Sequence, residues 1–164
     1  MIIRQALPND AESLVHLIKE VEESNFMLFE PGERKTTPEQ FRKRMESMEV
    51  DNTSAHFVAE ENGNLVGYLF VIGGNPIRAR HSVNIVAGVS ESYRGKGVGT
   101  KLFQELHQWA VEKDIHRLQL TVMEHNRAAI QLYTKMGFEK EGVKRNSLFV
   151  DGKYVNEIYM GKLL

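Results

Sequence analysis

Apolar residues recur along this chain with two different periods. Leu14, Leu17, Ile18 and Val21 fall three and four residues apart, the spacing of one helix face, and Asn9 stands where an N-cap is expected. Ahead of them, Ile2 to Ala6 reads as a short strand. Asn25 to Lys35 follows neither period and breaks at Pro31-Gly32, so it reads as a loop. Thr37 with Gln40 three residues on, and Pro38 at the first helical position, forms a capping box for a second helix running to about Glu49.

From there the pattern shortens to that of strands. Ser54 to Glu61 and Leu65 to Ile72 flank Asn62-Gly63, a pair that accepts the positive φ angles of a tight hairpin turn. His81 to Val89, rich in Val and Ile, reads as a buried strand with a bulge expected at Gly88. Helical spacing returns at Val98, Leu102, Leu106 and Trp109; Arg117 to Val122 is a strand again, and Asn126 opens another helix. Phe138 to Val150 and Lys153 to Met160 pair across Asp151-Gly152. The order is strand, two helices, three strands, helix, strand, helix, two strands, an α/β arrangement.

Composition narrows the classes. A length of 164 residues fits one domain, 1–164, and 41% hydrophobic with 26% charged residues is ordinary for a folded protein. Lys plus Arg number 21 against 22 for Asp plus Glu, which leaves no global positive field to hold a nucleic acid. Cysteine is absent, so disulfides, thiolate metal sites and a cysteine nucleophile are excluded. The histidines (16, 56, 81, 107, 116 and 125) form no i, i+4 pair, and no metal site is expected. The longest apolar stretch, Leu65 to Ile72, contains Gly67 and is too short to span a bilayer, and the N-terminus has no long apolar run; no membrane association and a cytoplasmic location are expected.

The segment that carries chemistry is Tyr93-Arg94-Gly95-Lys96-Gly97-Val98-Gly99-Thr100, three glycines and two cations between a strand and an amphipathic helix. Glycine lets the backbone approach a ligand closely, and the first helical turn offers unpaired N–H donors and the positive end of the dipole, so the loop suits phosphate. Spacing separates the phosphate-loop classes. A GxxxxGK[ST] loop would need glycine at Ser90 and Ser or Thr at Gly97, and a GxGxxG loop counted from Gly95 would need glycine at Thr100. Neither fits.

Arg94-Gly95-Lys96-Gly97-Val98-Gly99 reads as R-x-x-G-x-G, and about thirty residues later Asn126, Ala129, Tyr133, Gly137 and Phe138 fall into N-x-x-A-x-x-x-Y-x-x-x-G-F. On these two segments, spanning Ser82 to Phe138, the chain resembles the GNAT superfamily of acetyl-CoA-dependent N-acetyltransferases. The resemblance implies a GNAT-like mixed, mostly antiparallel sheet of about seven strands flanked by about four helices, acetyl-CoA as cosubstrate with no metal, and a homodimer. It implies CoA contacts at Ala87, Gly88, Val89, Arg94, Gly95, Lys96, Gly97, Val98, Gly99, Thr100, Asn126, Ala129, Tyr133 and Lys135, with Tyr133 protonating the departing thiolate. Asn126 also reads as a plain N-cap and Tyr133 as a core residue beside Met136.

An amine attacking the thioester carbonyl needs a fixed donor for the developing oxyanion, and the backbone N–H of Val89 is the candidate. The amine must first lose a proton. Many relatives place a glutamate in the strand equivalent to 81–89, but here that strand holds no carboxylate, which leaves His81, or water ordered by Asn84, as candidate base. Phe29, Glu30 and Glu33, in the segment that shapes the acceptor pocket of relatives, are candidates for the body and charge of a small-molecule amine, an amino acid or a polyamine. Two other readings stand beside this one, acetylation of the N-terminus of a ribosomal or other protein and a non-catalytic CoA sensor.

Overall fold

A computed structural model describes all 164 residues. In chain order the elements are β1 (Ile2–Gln5), α1 (Ala11–Glu22), α2 (Pro38–Met48), β2 (Ala55–Glu61), β3 (Asn64–Gly73), β4 (Ser82–Val89), α3 (Val98–Glu112), β5 (Arg117–Met123), α4 (Arg127–Lys135), β6 (Glu139–Val150) and β7 (Lys153–Leu163). The strands form one sheet in the order β1-β2-β3-β4-β5-β7-β6, antiparallel throughout except where β4 meets β5. No helix is long and apolar enough to cross a membrane.

Alternation along the strands sorts the core into two layers. Phe57 and Leu69, opposite each other in β2 and β3, face a cluster with Val98, Leu102, Phe103 and Leu106 of α3. Their chain neighbours Val58 and Tyr68, also opposite each other, turn to the other side of the sheet and pack with Leu14, Leu17, Ile18 and Val21 of α1 and Phe41 and Met45 of α2. Each fully buried leucine contributes about 2 kcal/mol of transfer free energy, so the amphipathic stripes decide which face each helix takes.

Local signals act as the sequence predicts at three places. Thr37 Oγ1 accepts from the Gln40 N–H at 3.2 Å while the Thr37 N–H donates to Gln40 Oε1 at 3.0 Å, a complete capping box. Asn62-Gly63 and Asp151-Gly152 both take left-handed angles, 51° and 79° in the first pair and 50° and 76° in the second. Three expectations are corrected. Asn9 caps nothing: Pro8–Asp10 is a single 3-10 turn closed by Asp10 Oδ2, which accepts the Leu7 N–H at 2.7 Å and binds Arg4 Nη1 at 2.8 Å, so α1 begins at Ala11. Gly88 is not a bulge, because the β3–β4 register runs unbroken from Gly67↔Val89 to Gly73↔Val83. His81 lies just outside β4.

His56 of β2 sets an acid limit on this fold. Its ring lies between Phe41 and Phe70, with centroids 5.9 and 4.5 Å away, and burial, helped by Arg44, pulls its pKa down to about 4. The unfolded chain takes up that proton near pH 6.5 while the folded chain does not. Stability is therefore lost as pH falls from about 6.5 to about 4, by up to about 3 kcal/mol. Denaturant midpoints measured across that window are expected to fall steeply for the parent and more gently for His56→Leu; parallel slopes would show that other groups set the limit.

Candidate functional site

The site begins where β4 ends. After a 3-10 turn at Glu91–Tyr93 the chain enters the glycine loop, with Gly95 and Gly97 at φ of 71° and 81°. A Cβ on Gly97 would meet nothing within 4 Å, so open space lies directly over the start of α3. Lys101 N–H, donating to the Gly97 carbonyl at 3.1 Å, is the first α3 amide to find a backbone partner, which leaves those of Val98, Gly99 and Thr100 free. Arg94 and Lys96 are exposed beside them; Arg94 Nε reaches back to the Val89 carbonyl at 3.3 Å and Lys96 Nζ stands 5.1 Å from the Tyr93 ring. Three free donors, a dipole end and two cations form a cradle for a polyanion such as a pyrophosphate.

Beyond that cradle the sheet is split. β4 and β5 pair only at Ser82↔Arg117, Val83↔Leu118 and Asn84↔Gln119; from Ile85 and Leu120 onward they pair no more. Asn84 Oδ1 accepts from Gln119 Nε2 at 2.9 Å, so Asn84 ties the strands together at the apex of the wedge. Ala87, Gly88 and Val89 line its β4 side. Ser90 N–H donates to Val66 of β3 at 2.9 Å, and because successive amides of a strand point to opposite edges, the Val89 N–H faces the wedge. An extended arm of ligand fits there as an added strand.

Gly88 serves a close approach. A Cβ there would stand 2.6 Å from Tyr68 Cζ and 2.7 Å from its hydroxyl oxygen, so the bare backbone lets the Tyr68 ring lie against β4. On the far side, Gly99 of α3 touches Leu132 closely enough that a Cβ would be 2.6 Å from Cδ2, which draws α4 alongside the cradle. Asn126 is the N-cap of α4, its Oδ1 accepting the Ala129 N–H at 3.3 Å. Tyr133, two turns on, is about 10 Å further along the axis. Its half-buried ring packs 5.4 Å from Phe103 and 6.1 Å from Phe138, and burial alone pushes the phenol up to about 12. The group is thus a proton donor at neutral pH. Ala129 is half-buried beside the cap and Lys135 is exposed on the last turn of α4.

The other candidates divide. His81 is exposed, its ring 6.2 Å from that of His116, at the paired end of β4 and about 26 Å from Val89 at roughly 3.3 Å per residue. That distance takes His81 out of reach of the wedge. Phe29, Glu30 and Glu33 lie exposed on the α1–α2 loop, but the Glu33 carboxylate is turned onto the loop itself, accepting the Glu30 N–H at 3.1 Å. The same loop is tied to the β6–β7 hairpin by Asn25 Nδ2 donating to Asp151 Oδ2 at 2.5 Å, and Phe26 packs on His125 with centroids 5.2 Å apart.

A buried polar cluster was not foreseen. Glu22, 2% exposed at the end of α1, accepts from Arg34 Nε at 2.5 Å, and the Arg34 guanidinium lies 4.4 Å over the Phe29 ring. Tyr68, packed on α1, feels this pair: burial first, then the charge of Glu22, push its hydroxyl pKa up, with Arg34 opposing and Tyr133 adding to the rise. The sequence did hold a signal. Glu22 stands four residues after Ile18, on the apolar stripe of α1, where a carboxylate is out of place unless partnered.

Comparison with known proteins adds to this geometry. Residues 16–138 match the model of the Acetyltransferase (GNAT) family. Spermidine N(1)-acetyltransferase of Escherichia coli (strain K12) is 30% identical over 111 residues, 67% of this chain but only 59% of that protein's length. L-amino acid N-acetyltransferase AaaT of the same organism is 30% identical over 107 residues, 65% of this chain and 66% of the relative. A solved structure, an acetyltransferase of GNAT family from Streptococcus pneumoniae, superposes with a TM-score of 0.94 at 29% identity, covering 99% of this chain and 98% of that one.

Proposed function

The chain belongs to the GNAT family of acetyltransferases, and from that premise we propose that it transfers the acetyl group of acetyl-CoA to the primary amine of a small molecule, an amino acid or a polyamine. The observation that carries the reading is the continuity of cradle and wedge: free amides at the start of α3 lead into the opening between β4 and β5, and Gly99 packed on Leu132 sets α4, which carries Tyr133, beside the cradle. The residues fit the cosubstrate. Gly97 leaves room for a pyrophosphate over Val98, Gly99 and Thr100, Arg94 and Lys96 answer its charge, and the wedge takes an extended arm against Ala87, Gly88 and Val89.

Acetyl-CoA supplies the activated acyl group as a thioester. The Val89 N–H, aimed into the wedge, stabilises negative charge on the carbonyl oxygen as the amine attacks. The carbon–nitrogen bond forms and the carbon–sulfur bond breaks; Tyr133, whose phenol stays protonated, gives its proton to the departing sulfur, and the proton shed by the amine passes to solvent water, which returns one to Tyr133. Asn126 fixes the start of α4 so that Tyr133 is held in register with the cradle. His81 is too distant to take the amine's proton, and Asn84 holds the strands together at the apex.

The test is thiol release from acetyl-CoA against a panel of amino acids, polyamines and N-terminal peptides. Turnover on a small amine is the expected result. Turnover confined to peptides would move the assignment to protein N-termini, and CoA binding with no turnover on any acceptor would make the chain a sensor.

A further inference from the structure

One buried polar atom in this fold has no partner inside it. Glu22 Oε1 is bonded to Arg34 Nε, whereas Glu22 Oε2, in a side chain that is 2% exposed, accepts nothing. A buried carboxylate oxygen without a donor is unfavourable unless a donor arrives from outside. Arg34 is similarly half used. Its Nε is fixed by Glu22 and its plane by Phe29, yet its two terminal nitrogens make no hydrogen bond. Guanidinium nitrogens held in one plane form a fork that matches a carboxylate.

We infer that Glu22 and Arg34 form the acceptor subsite and that the acceptor is an α-amino acid, with its carboxylate on the terminal nitrogens of Arg34 and its amino group donating to Glu22 Oε2. The inference deepens the acetyltransferase reading and rests on it. A single carbon separates the two charged groups of an α-amino acid, and the two protein groups that answer them are themselves in contact. Their position fits the chemistry, because α1, which carries Glu22, packs on Tyr68 over Gly88 and reaches the end of β4 where Glu20 Oε1 accepts the Ser90 hydroxyl at 2.7 Å, next to the amide that faces the wedge. A polyamine is poorly served by the same surface. Glu22 is neutralised by Arg34 and Glu33 is engaged by the loop backbone, which leaves Glu30 as the one carboxylate of the 29–33 segment without a partner, and the Arg34 charge repels an ammonium. A peptide N-terminus has no carboxylate next to its amine for Arg34 to hold.

The experiment compares kcat/KM for the twenty amino acids, for the carboxamide of the best of them, and for spermidine, with the parent and with the double variant Glu22→Gln/Arg34→Gln. Removing both charges together leaves neither one buried alone. The best amino acid is expected to exceed its carboxamide and spermidine by about 100-fold, and the double variant is expected to narrow that ratio to less than about tenfold. Equal rates on the carboxamide, a preference for spermidine, or an unchanged ratio in the double variant would overturn the inference. If the double variant does not fold, Arg34→Lys takes its place, keeping the charge but losing the fork. Should no acceptor release thiol, the acetyltransferase reading fails by itself, and calorimetry of amino acids with the protein and CoA then decides on the subsite. Binding that the variant abolishes upholds it, and no binding overturns it.

Discussion

Replacing Tyr133 by phenylalanine is expected to lower kcat by about 100-fold or more while the Kd for acetyl-CoA stays within about twofold. The change is clean because burial is the sole cause of the raised phenol pKa: no protein group is bonded to the hydroxyl, and its removal strands no partner. The ring keeps its packing on Phe103 and Phe138, so thermal stability should be close to that of the parent. A pKa near 12 has a further consequence for the pH profile. Tyr133 remains protonated throughout the working range, so no falling limb of kcat below about pH 11 belongs to it. Stopped-flow or steady-state thiol release from parent and variant measures both effects. A variant that turns over like the parent would remove Tyr133 from the chemistry, and one that fails to bind acetyl-CoA would make it a binding residue.

The second large effect is at Gly97. A tryptophan there meets no protein atom at its Cβ, because the space above the residue is empty, but it fills that space and covers the amides of Val98, Gly99 and Thr100. Losing two or three charge-assisted hydrogen bonds is expected to weaken acetyl-CoA binding by more than about 100-fold. The left-handed φ of 81° adds a backbone cost of about 1–2 kcal/mol for any residue with a Cβ. Gly97→Ala separates the two effects, since it pays the backbone cost without covering the cradle. Calorimetry should find the alanine variant binding far better than the tryptophan variant, though melting at a similar temperature. Equal binding by the two would mean that the ligand does not lie over this turn.

Most of the architecture was legible because local rules and tertiary packing agree. Thr37 with Gln40, Asn62-Gly63, Asp151-Gly152 and the cap at Asn126 each satisfy a backbone need within a few residues, and such needs can be read from spacing alone. The cradle was legible for the same reason, since a strand, three glycines and a helix start lie within a dozen residues. What could not be read depends on distant neighbours. Gly88 looked like a bulge because nothing local shows the Tyr68 ring lying on it from β3. Asp10 rather than Asn9 shapes the entry to α1 because Arg4 draws its carboxylate back. His81 belongs to the right strand region but the wrong end, and sequence gives no sense of where two strands part. The Glu22–Arg34 pair joins a helix to a loop whose path is set only by folding, although a carboxylate on the apolar stripe of α1 hinted at it.

The wedge between β4 and β5 also divides the mechanics of the molecule. Three residue pairs, with the His116 and Arg117 amides donating to the His81 carbonyl just before them, make the main-chain hydrogen bonding between a panel of β1 to β4 and a panel of β5, β7 and β6. Elsewhere the panels meet through side chains, in the cluster that spans Val83, Leu102 and Leu118, and through the chain that runs from β4 by way of α3 to β5. The second panel ends in β6, most of whose residues are exposed. The seam is thus the line where main-chain bonding across the sheet is thinnest, while the shared cluster still holds both panels in one core. A molecule lying in the seam bonds to both panels at once and couples them. Acetyl-CoA is therefore expected to raise the melting temperature of this protein as its concentration rises.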